Sequence, residues 1–179
     1  LEAGLQAAPG KALINSVTGE EKSLKEVLPM AKAHNAAVIG LVMDDDGIPE
    51  TAEARLKVAG KIIDRAGREG IPIEDVVIDP LVMAVATDSS AVLITTRTIQ
   101  LVREELGANI NLGASNVSFG LPQRKMLNQV FLAMAIHAGA TCAITAPRHM
   151  AGTVKAADLM MGQDPFAGEF MQYCRSMES

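Results

Sequence analysis

GASNVSFGLP, residues 113–122, joins a strand-like run to a long helical pattern and decides how the remaining sequence is interpreted. Residues 109–112 before it alternate polar and apolar side chains, which is typical of a strand. Gly113 and Ser115 then remove bulk, so the backbone can turn and approach a ligand, and Asn116 adds a carboxamide that both donates and accepts hydrogen bonds. Pro122 stands where a helix can begin without a backbone donor. By itself, the segment fits a ligand site or a plain turn equally well.

Five apolar runs predict the strands of the chain, at residues 11–14, 37–42, 76–78, 109–112 and 142–145. Helical patterns separate them, and we expect Ser23, Thr51 and either Ser89 or Ser90 to cap the helices between them. A long helix should span residues 123–137, and two short helices should cover 153–161 and 166–177. Because no hairpin turn separates the runs, the strands are predicted to pair in parallel through helical crossovers.

Two architectures fit this α/β pattern, an open doubly wound sheet and a parallel (β/α) TIM-type barrel. The open sheet usually carries a GxGxxG phosphate loop after its first strand, whereas residues 15–19 read NSVTG. The barrel is therefore favoured, with residues 1–179 as one domain. Leu1 opens on what resembles the tail of a helix, so we expect an N-terminal part to precede it. Five strands alone would leave two exposed sheet edges.

Composition excludes several classes of partner. The net charge of -5 and the pI near 5.2 argue against nucleic acid or an anionic membrane. Cys142 and Cys174 lack metal-ligand spacing and are interpreted as reduced thiols, and the three histidines form no HxxxH pair, so no metal site is expected. No apolar run approaches the roughly 18 residues of a membrane span. These features predict a cytoplasmic protein.

Each predicted strand delivers a small polar or acidic residue at its carboxyl end, where the functional groups of a parallel barrel lie. In chain order these residues are Asn15, Asp44, Asp79, Asn116, and Thr145 or Ala146. Carboxamides and carboxylates suit a flat heterocycle with adjacent N–H donors and a carbonyl acceptor. They include no activated nucleophile, so covalent hydrolysis is not expected. The pattern predicts a site that binds and polarises its ligand.

Several of these segments, in this order and spacing, resemble the methyltetrahydrofolate:corrinoid/cobalamin methyltransferases. They are residues 14–16 (INS), 78–80 (IDP), 115–122 (SNVSFGLP), Arg124, and the 127–135 helix. That family shares a pterin-binding barrel with dihydropteroate synthase and with the folate domain of cobalamin-dependent methionine synthase. The resemblance covers essentially the whole chain. It implies that the chain holds about the last five of eight βα units, with the N-terminal strands, and a further pterin-binding aspartate, lying before Leu1.

The resemblance also implies roles for individual residues. Asn15 and Asp79 would hydrogen-bond the pyrimidinone edge of the pterin, and Asn116 would reach the methyl-bearing nitrogen as the catalytic residue. Gly113 and Ser115 would form the pocket floor. Arg124 would contact the folate or the pocket wall.

The activity that the resemblance implies is transfer of the methyl group of 5-methyltetrahydrofolate to the Co(I) of a corrinoid, or cobalamin, on a partner protein. This is a reaction of one-carbon metabolism. The family also tends to dimerise, so a homodimer is expected.

Two alternatives remain open at this point. The first is a dihydropteroate synthase-like pterin enzyme, for which residues 147–149 (PRH) offer the one basic candidate for a diphosphate site. The second is a non-catalytic folate-binding fragment. A folate titration of this chain beside a version extended upstream would separate the fragment from the methyltransferase.

Overall fold

A parallel sheet of four strands, ordered β1-β2-β3-β4, forms the centre of the structure, a computed structural model that describes residues 1–178. The strands are β1 (Leu13–Thr18), β2 (Ala37–Leu41), β3 (Val76–Asp79) and β4 (Asn109–Ile110). Leu41 lies beside Asp79, and Ile78 lies beside Ile110. Each strand pairs with the next one along the chain, which confirms the predicted parallel α/β class.

One helix precedes the first strand, and the others connect the strands or follow the last of them. The helices are α1 (Glu2–Ala7), α2 (Glu21–Ala33), α3 (Ala52–Arg68), α4 (Ala91–Leu101), α5 (Arg124–Ala138), α6 (Pro147–Met160) and α7 (Gly168–Glu178). A π-helical turn, Val102–Leu106, extends α4, and 3-10 turns lie at Ile73–Asp75, Ala114–Ser118 and Pro165–Ala167. None of the helices within residues 1–178 is long and apolar enough to cross a membrane.

The predicted caps have different outcomes. Thr51 caps α3, because its side chain accepts a hydrogen bond from the backbone N–H of Ala54 at 3.2 Å. The predicted cap at Ser23 is wrong, since α2 begins at Glu21 and Ser23 is already inside it. The Ser23 hydroxyl instead accepts from the backbone N–H of Thr18 at 3.0 Å, which ties the end of β1 to α2.

The two faces of the sheet differ in chemistry. Alternate residues of the strands pack towards the helices, and a Cβ added to Gly40 would lie 2.9 Å from Ile62 of α3. Ile14 and Ile78 are buried on that face. The opposite face carries the residues between them, including Leu13, which is 50% exposed, and the exposed Asn15. The polar residues therefore share the face that does not pack on the helices.

The fifth predicted strand, residues 142–145, is not a regular strand. It lies beside β4 and makes one parallel bridge, between Gly113 and Ile144. The backbone N–H groups of Cys142 and Ile144 donate to the carbonyls of Ile110 and Leu112, each at 2.9 Å. The segment thus occupies the position of a fifth strand without its full hydrogen-bond ladder, and residues 1–178 contain four strands where we expected five.

Candidate functional site

A cavity of about 460 Å³ opens at the carboxyl ends of the strands. Its walls come from Asn15 inside β1, from the ends of β2 and β3, and from the segments that follow β3 and β4. They are formed by Asn15, Leu41, Asp79, Leu81, Val82, Gly113, Ser115, Asn116, Ile144 and Thr145. Asn15 was expected at the carboxyl end of its strand, but β1 continues to Thr18. Five of the six predicted site residues meet here, because parallel strands bring their carboxyl ends to one edge of the sheet.

Among the described residues, 1–178, Asp79 is the only ionisable one in the wall of this cavity. Its Oδ1 accepts from the backbone N–H of Leu81 at 3.0 Å, and its Oδ2 accepts from Nδ2 of Asn111 at 2.9 Å. Burial raises the pKa of the Asp79 carboxyl, and these two hydrogen bonds act in the opposite direction. Since each oxygen has accepted one proton donor, each keeps acceptor capacity for a ligand with two parallel N–H groups.

Asn116 lies in the 3-10 turn Ala114–Ser118, which the buried side chains of Ala114 and Val117 fix to the core. Its carboxamide lies over Gly113, where an added Cβ would approach the Asn116 Nδ2 to 3.1 Å. The residue is exposed, and its side chain makes no hydrogen bond with any residue of the described chain. Glycine at position 113 therefore leaves room for a carboxamide that borders the cavity with its hydrogen-bonding capacity unused.

Arg124 is the predicted site residue that lies outside the cavity wall. Its guanidinium donates to the carbonyl oxygen of Ser115 at 2.9 Å and to the hydroxyl of Ser118 at 3.1 Å. The Ser118 hydroxyl in turn donates to the Oδ1 of buried Asn128 at 2.6 Å. Arg124 and Asn128 thus hold the turn that carries Asn116, and a direct contact between Arg124 and folate stays a prediction.

Arg55 supports the site from α3, a role that the sequence did not reveal. Its side chain is 3% exposed, and it donates to the carbonyl oxygens of Pro49, Pro80 and Leu81, each at 2.9 Å. Leu81 has a φ of 63°, a left-handed conformation that is unfavourable for a branched residue. Arg55 thereby fixes the strained turn whose N–H donates to Asp79. The sequence offered one signal for Arg55, namely an arginine on the apolar side of an amphipathic helix pattern.

Asn111 is the second residue that sequence reasoning missed. It follows β4, is 0% exposed, and lies beside Asp79 through its Nδ2. In the structure, the pairs Val77–Asn109 and Ile78–Ile110 place the next pair at Asp79 and Asn111. The sequence alone does not show this register.

Asp44 and Thr145, which were also predicted to lie at the carboxyl ends of strands, have different positions relative to this cavity. Asp44 lies outside this cavity and borders another, of about 380 Å³, together with Lys57 and Lys61. Thr145 borders the candidate site, and its buried hydroxyl has no hydrogen-bond partner within residues 1–178. Across the same residues no group of three or more His, Cys, Asp or Glu side chains is placed to hold a metal ion.

Comparison with known proteins identifies the class to which this fold and cavity correspond. The model of the pterin binding enzymes matches residues 1–146. The chain therefore belongs to the pterin-binding enzyme family, and its relatives group it with the folate:corrinoid methyltransferases within that family.

Two relatives carry informative names. The chain is 30% identical over 168 residues to the methylcorrinoid:tetrahydrofolate methyltransferase of Eubacterium limosum, a match that covers 91% of this chain and 62% of that protein. It is 33% identical over 157 residues to the methionine synthase of Mycobacterium tuberculosis, covering 80% of this chain and 13% of that protein. The chain thus spans less than two thirds of the length of either relative.

Proposed function

We propose that the protein is a methyltransferase that binds 5-methyltetrahydrofolate and passes its methyl group to the Co(I) of a corrinoid carried by a partner protein, leaving tetrahydrofolate. The observation that carries the proposal is the meeting of Asn15, Asp79 and Asn116 in one cavity at the carboxyl edge of the sheet. The family and the relatives named above support the same chemistry.

The pterin ring would lie across the cavity with its pyrimidinone edge towards Asp79. That edge presents adjacent N–H donors, and the Asp79 carboxylate has one free acceptor position on each oxygen. Asn15, from β1, would bond the other polar groups of the edge with a carboxamide that both donates and accepts. Gly113 and Ser115 would form the floor beneath the ring. Several short polar contacts on rigid strands would fix the ring in one orientation.

Asn116 would act at the methyl-bearing ring nitrogen. A neutral tertiary amine is a poor methyl donor, and its departure is assisted when a proton or hydrogen bond compensates the charge that develops on nitrogen. The carboxamide of Asn116 can donate to the neutral nitrogen or accept from the protonated one. The corrinoid is the second substrate and supplies the Co(I) nucleophile.

The same site can assist methyl transfer in either direction. The printed name of the Eubacterium limosum protein has methylcorrinoid as donor and tetrahydrofolate as acceptor. The same carboxamide assists both directions, because the two reactions pass through one transition state. For this chain we propose 5-methyltetrahydrofolate as the methyl donor and the Co(I) corrinoid as the acceptor, which is the reverse of the direction in that name.

Three structural proposals accompany this function. The sheet would be one sector of a TIM-type barrel, whose other strands would continue from the edge at β1 and from residues 142–145. The corrinoid protein would dock over the carboxyl edge, above Asn116.

A homodimer would cover the exposed apolar stripe of Met126, Val130 and Met134 on α5, and sedimentation analysis tests that proposal.

The methyl-transfer experiment compares the wild-type chain with Asn116→Ala, using 5-methyltetrahydrofolate and a Co(I) corrinoid followed by its absorbance. We expect transfer to slow about a hundredfold, the scale of losing one preorganised polar group. Folate affinity should change much less.

The control is Asn35→Gly, because Asn35 is an exposed asparagine with a φ of 49° that glycine adopts freely. It should leave transfer at the wild-type rate. Unchanged transfer in Asn116→Ala would remove the role assigned to that residue.

The dihydropteroate synthase alternative has less support. Arg148, its candidate for binding a diphosphate, lies on α6 and borders a different cavity, away from Asp79. An assay with pterin diphosphate and p-aminobenzoate should therefore give no product.

A further inference from the structure

A line of three side chains runs behind the candidate pterin seat. The Cys142 thiol lies 3.3 Å from Oδ1 of Asn111, and Nδ2 of Asn111 lies 2.9 Å from Oδ2 of Asp79. The line crosses three neighbouring segments, namely residues 142–145, the end of β4 and the end of β3. Asn111 is 0% exposed and is absent from the cavity wall, so it acts on a ligand only through Asp79.

The direction of these hydrogen bonds follows from elementary chemistry. An ionised carboxylate only accepts hydrogen bonds, so the amide nitrogen of Asn111 must face Asp79. The amide oxygen must then face Cys142, and the sulfur has to carry its proton in order to donate. One donor at the Cys142 end and one acceptor at the Asp79 end therefore fix the buried carboxamide in a single orientation.

We propose that Asn111 is a positioning residue for the pterin-binding carboxylate, oriented by the protonated thiol of Cys142. It occupies one acceptor position of Asp79 Oδ2 and leaves the other directed at the ligand. It also favours the ionised form that can receive two N–H donors. This inference rests on the proposed function, since it assigns to Asn111 the task of presenting Asp79 to the pterin.

Electrostatics around the line agree with this arrangement. Partial burial of the sulfur raises the pKa of the Cys142 thiol, although the residue as a whole is exposed, and the negative charge of Asp79 acts in the same direction, so the sulfur keeps its proton. The groups facing Asp79 from the other elements are uncharged: Leu81 N–H after β3, Asn15 from β1 and Asn116 from the turn after β4. Arg55 bonds the carbonyls behind Asp79 and not its carboxylate. Cys142 is thus the one other titratable group on the line.

The test is a carbon NMR titration of the Asp79 carboxyl in the ligand-free chain, with its signal assigned by its loss in Asp79→Asn. In Asn111→Leu we expect the pKa of Asp79 to rise, because the carboxylate loses a donor that favours its charged form. Cys142→Ala should give a smaller rise, and Cys142→Ser should restore the wild-type titration with a hydroxyl donor. Cys174→Ala, on α7, is the matched cysteine control and should titrate as wild type.

Folate affinity gives the second readout. In Asn111→Leu the Kd for 5-methyltetrahydrofolate at neutral pH should rise about tenfold or more, the scale of one hydrogen bond to a charged group. The rate of transfer at saturating folate should change little, so that KM moves and kcat does not.

An Asp79 titration that is unchanged in both Asn111→Leu and Cys142→Ala would overturn the inference. If Asn111→Leu fails to fold, the Cys142→Ala and Cys142→Ser pair decides, because Cys142 is exposed. The titration is measured without folate, so failure of the wild type to bind folate would contradict the proposed function alone.

Discussion

Asp79 links the chemistry of the site to pH. Burial is the larger influence and raises the pKa of its carboxyl above the 3.8 of an ordinary aspartate. For an acid whose pKa is raised by folding, the associated stability is present below pH 3.8 and is lost as pH rises through the folded pKa. Above that pKa, ionisation of Asp79 lowers the stability of the fold, and the N–H donors of a bound pterin would compensate for that.

Folate affinity should therefore fall as pH falls through the raised pKa of Asp79. Below that point the affinity should weaken about tenfold for each pH unit, because the ionised form binds the ligand. Calorimetric titration with 5-methyltetrahydrofolate at several pH values measures this. Asp79→Asn should bind weakly and lack this pH-dependent phase, and retention of the phase in that variant would assign it to another group.

A substitution at Gly113 can test the position of the Asn116 carboxamide separately from the free energy of unfolding. Its φ of -77° suits any residue, so Gly113→Ala introduces no backbone strain. The added Cβ meets the Asn116 carboxamide at 3.1 Å and has to displace it. We expect transfer to fall about tenfold from the misplaced group, while the free energy of unfolding stays within about 1 kcal/mol of wild type.

The control for Gly113→Ala is Gly67→Ala on α3, where an added Cβ meets nothing within 4 Å. It should raise the free energy of unfolding by about 0.5–1 kcal/mol and leave transfer unchanged. Equal transfer rates in the two variants would show that the position of the Asn116 carboxamide is not critical.

The sequence predicted those site residues that stand where an apolar run gives way to polar residues. Asn15, Asp79 and Asn116 end or follow apolar runs, so strand counting placed them at one edge, and the structure brings them into one cavity. Their roles stay predictions. Arg55 and Asn111 were missed because their importance comes from partners 25 and 32 residues away in the chain, which local patterns do not reveal.

At the scale of elements, Arg55 joins α3 to the turn after β3. Burial lowers the pKa of its guanidinium, and the Asp88 carboxylate acts in the opposite direction. Arg55→Met would leave the carbonyls of Pro49, Pro80 and Leu81 without this donor. We expect a loss of about 3 kcal/mol in the free energy of unfolding, the scale of unsatisfied buried polar groups. Denaturant unfolding measures the loss.

Arg68→Met is the matched control on the same helix. Arg68 pairs with Asp64 at 2.7 Å on the surface, and both side chains are more than half exposed. Its removal should cost about 0.5 kcal/mol or less. A similar loss in the two variants would indicate that Arg55 does not hold the turn.

Helices were easier to predict than the ends of strands. The Thr51 cap was found because its side chain bonds its own helix, a local interaction. The Ser23 prediction failed because the serine bonds β1 instead, and the capping-box spacing does not exclude that. The fifth strand was an apolar run of the right length, but a regular ladder also requires a partner for each backbone group, which sequence patterns do not show.

At the scale of the whole molecule, the sequence predicted the parallel sheet but not which apolar side chains are exposed. Met126, Met134 and Met160 lie on helices, yet all three are exposed. Helical periodicity identifies an apolar stripe but not what covers it. The parallel sheet, by contrast, was predictable, because only crossover connections fit the order of strands and helices.

The most direct test of the central claim is a calorimetric titration of the chain with 5-methyltetrahydrofolate, repeated for Asn15→Ala and Asp79→Asn. We expect one folate bound per chain in the wild type. Each variant should bind at least about tenfold more weakly, from the loss of its hydrogen bonds to the pterin. Absence of binding to the wild type, or equal affinity in all three proteins, would contradict the assignment of this cavity as a pterin site.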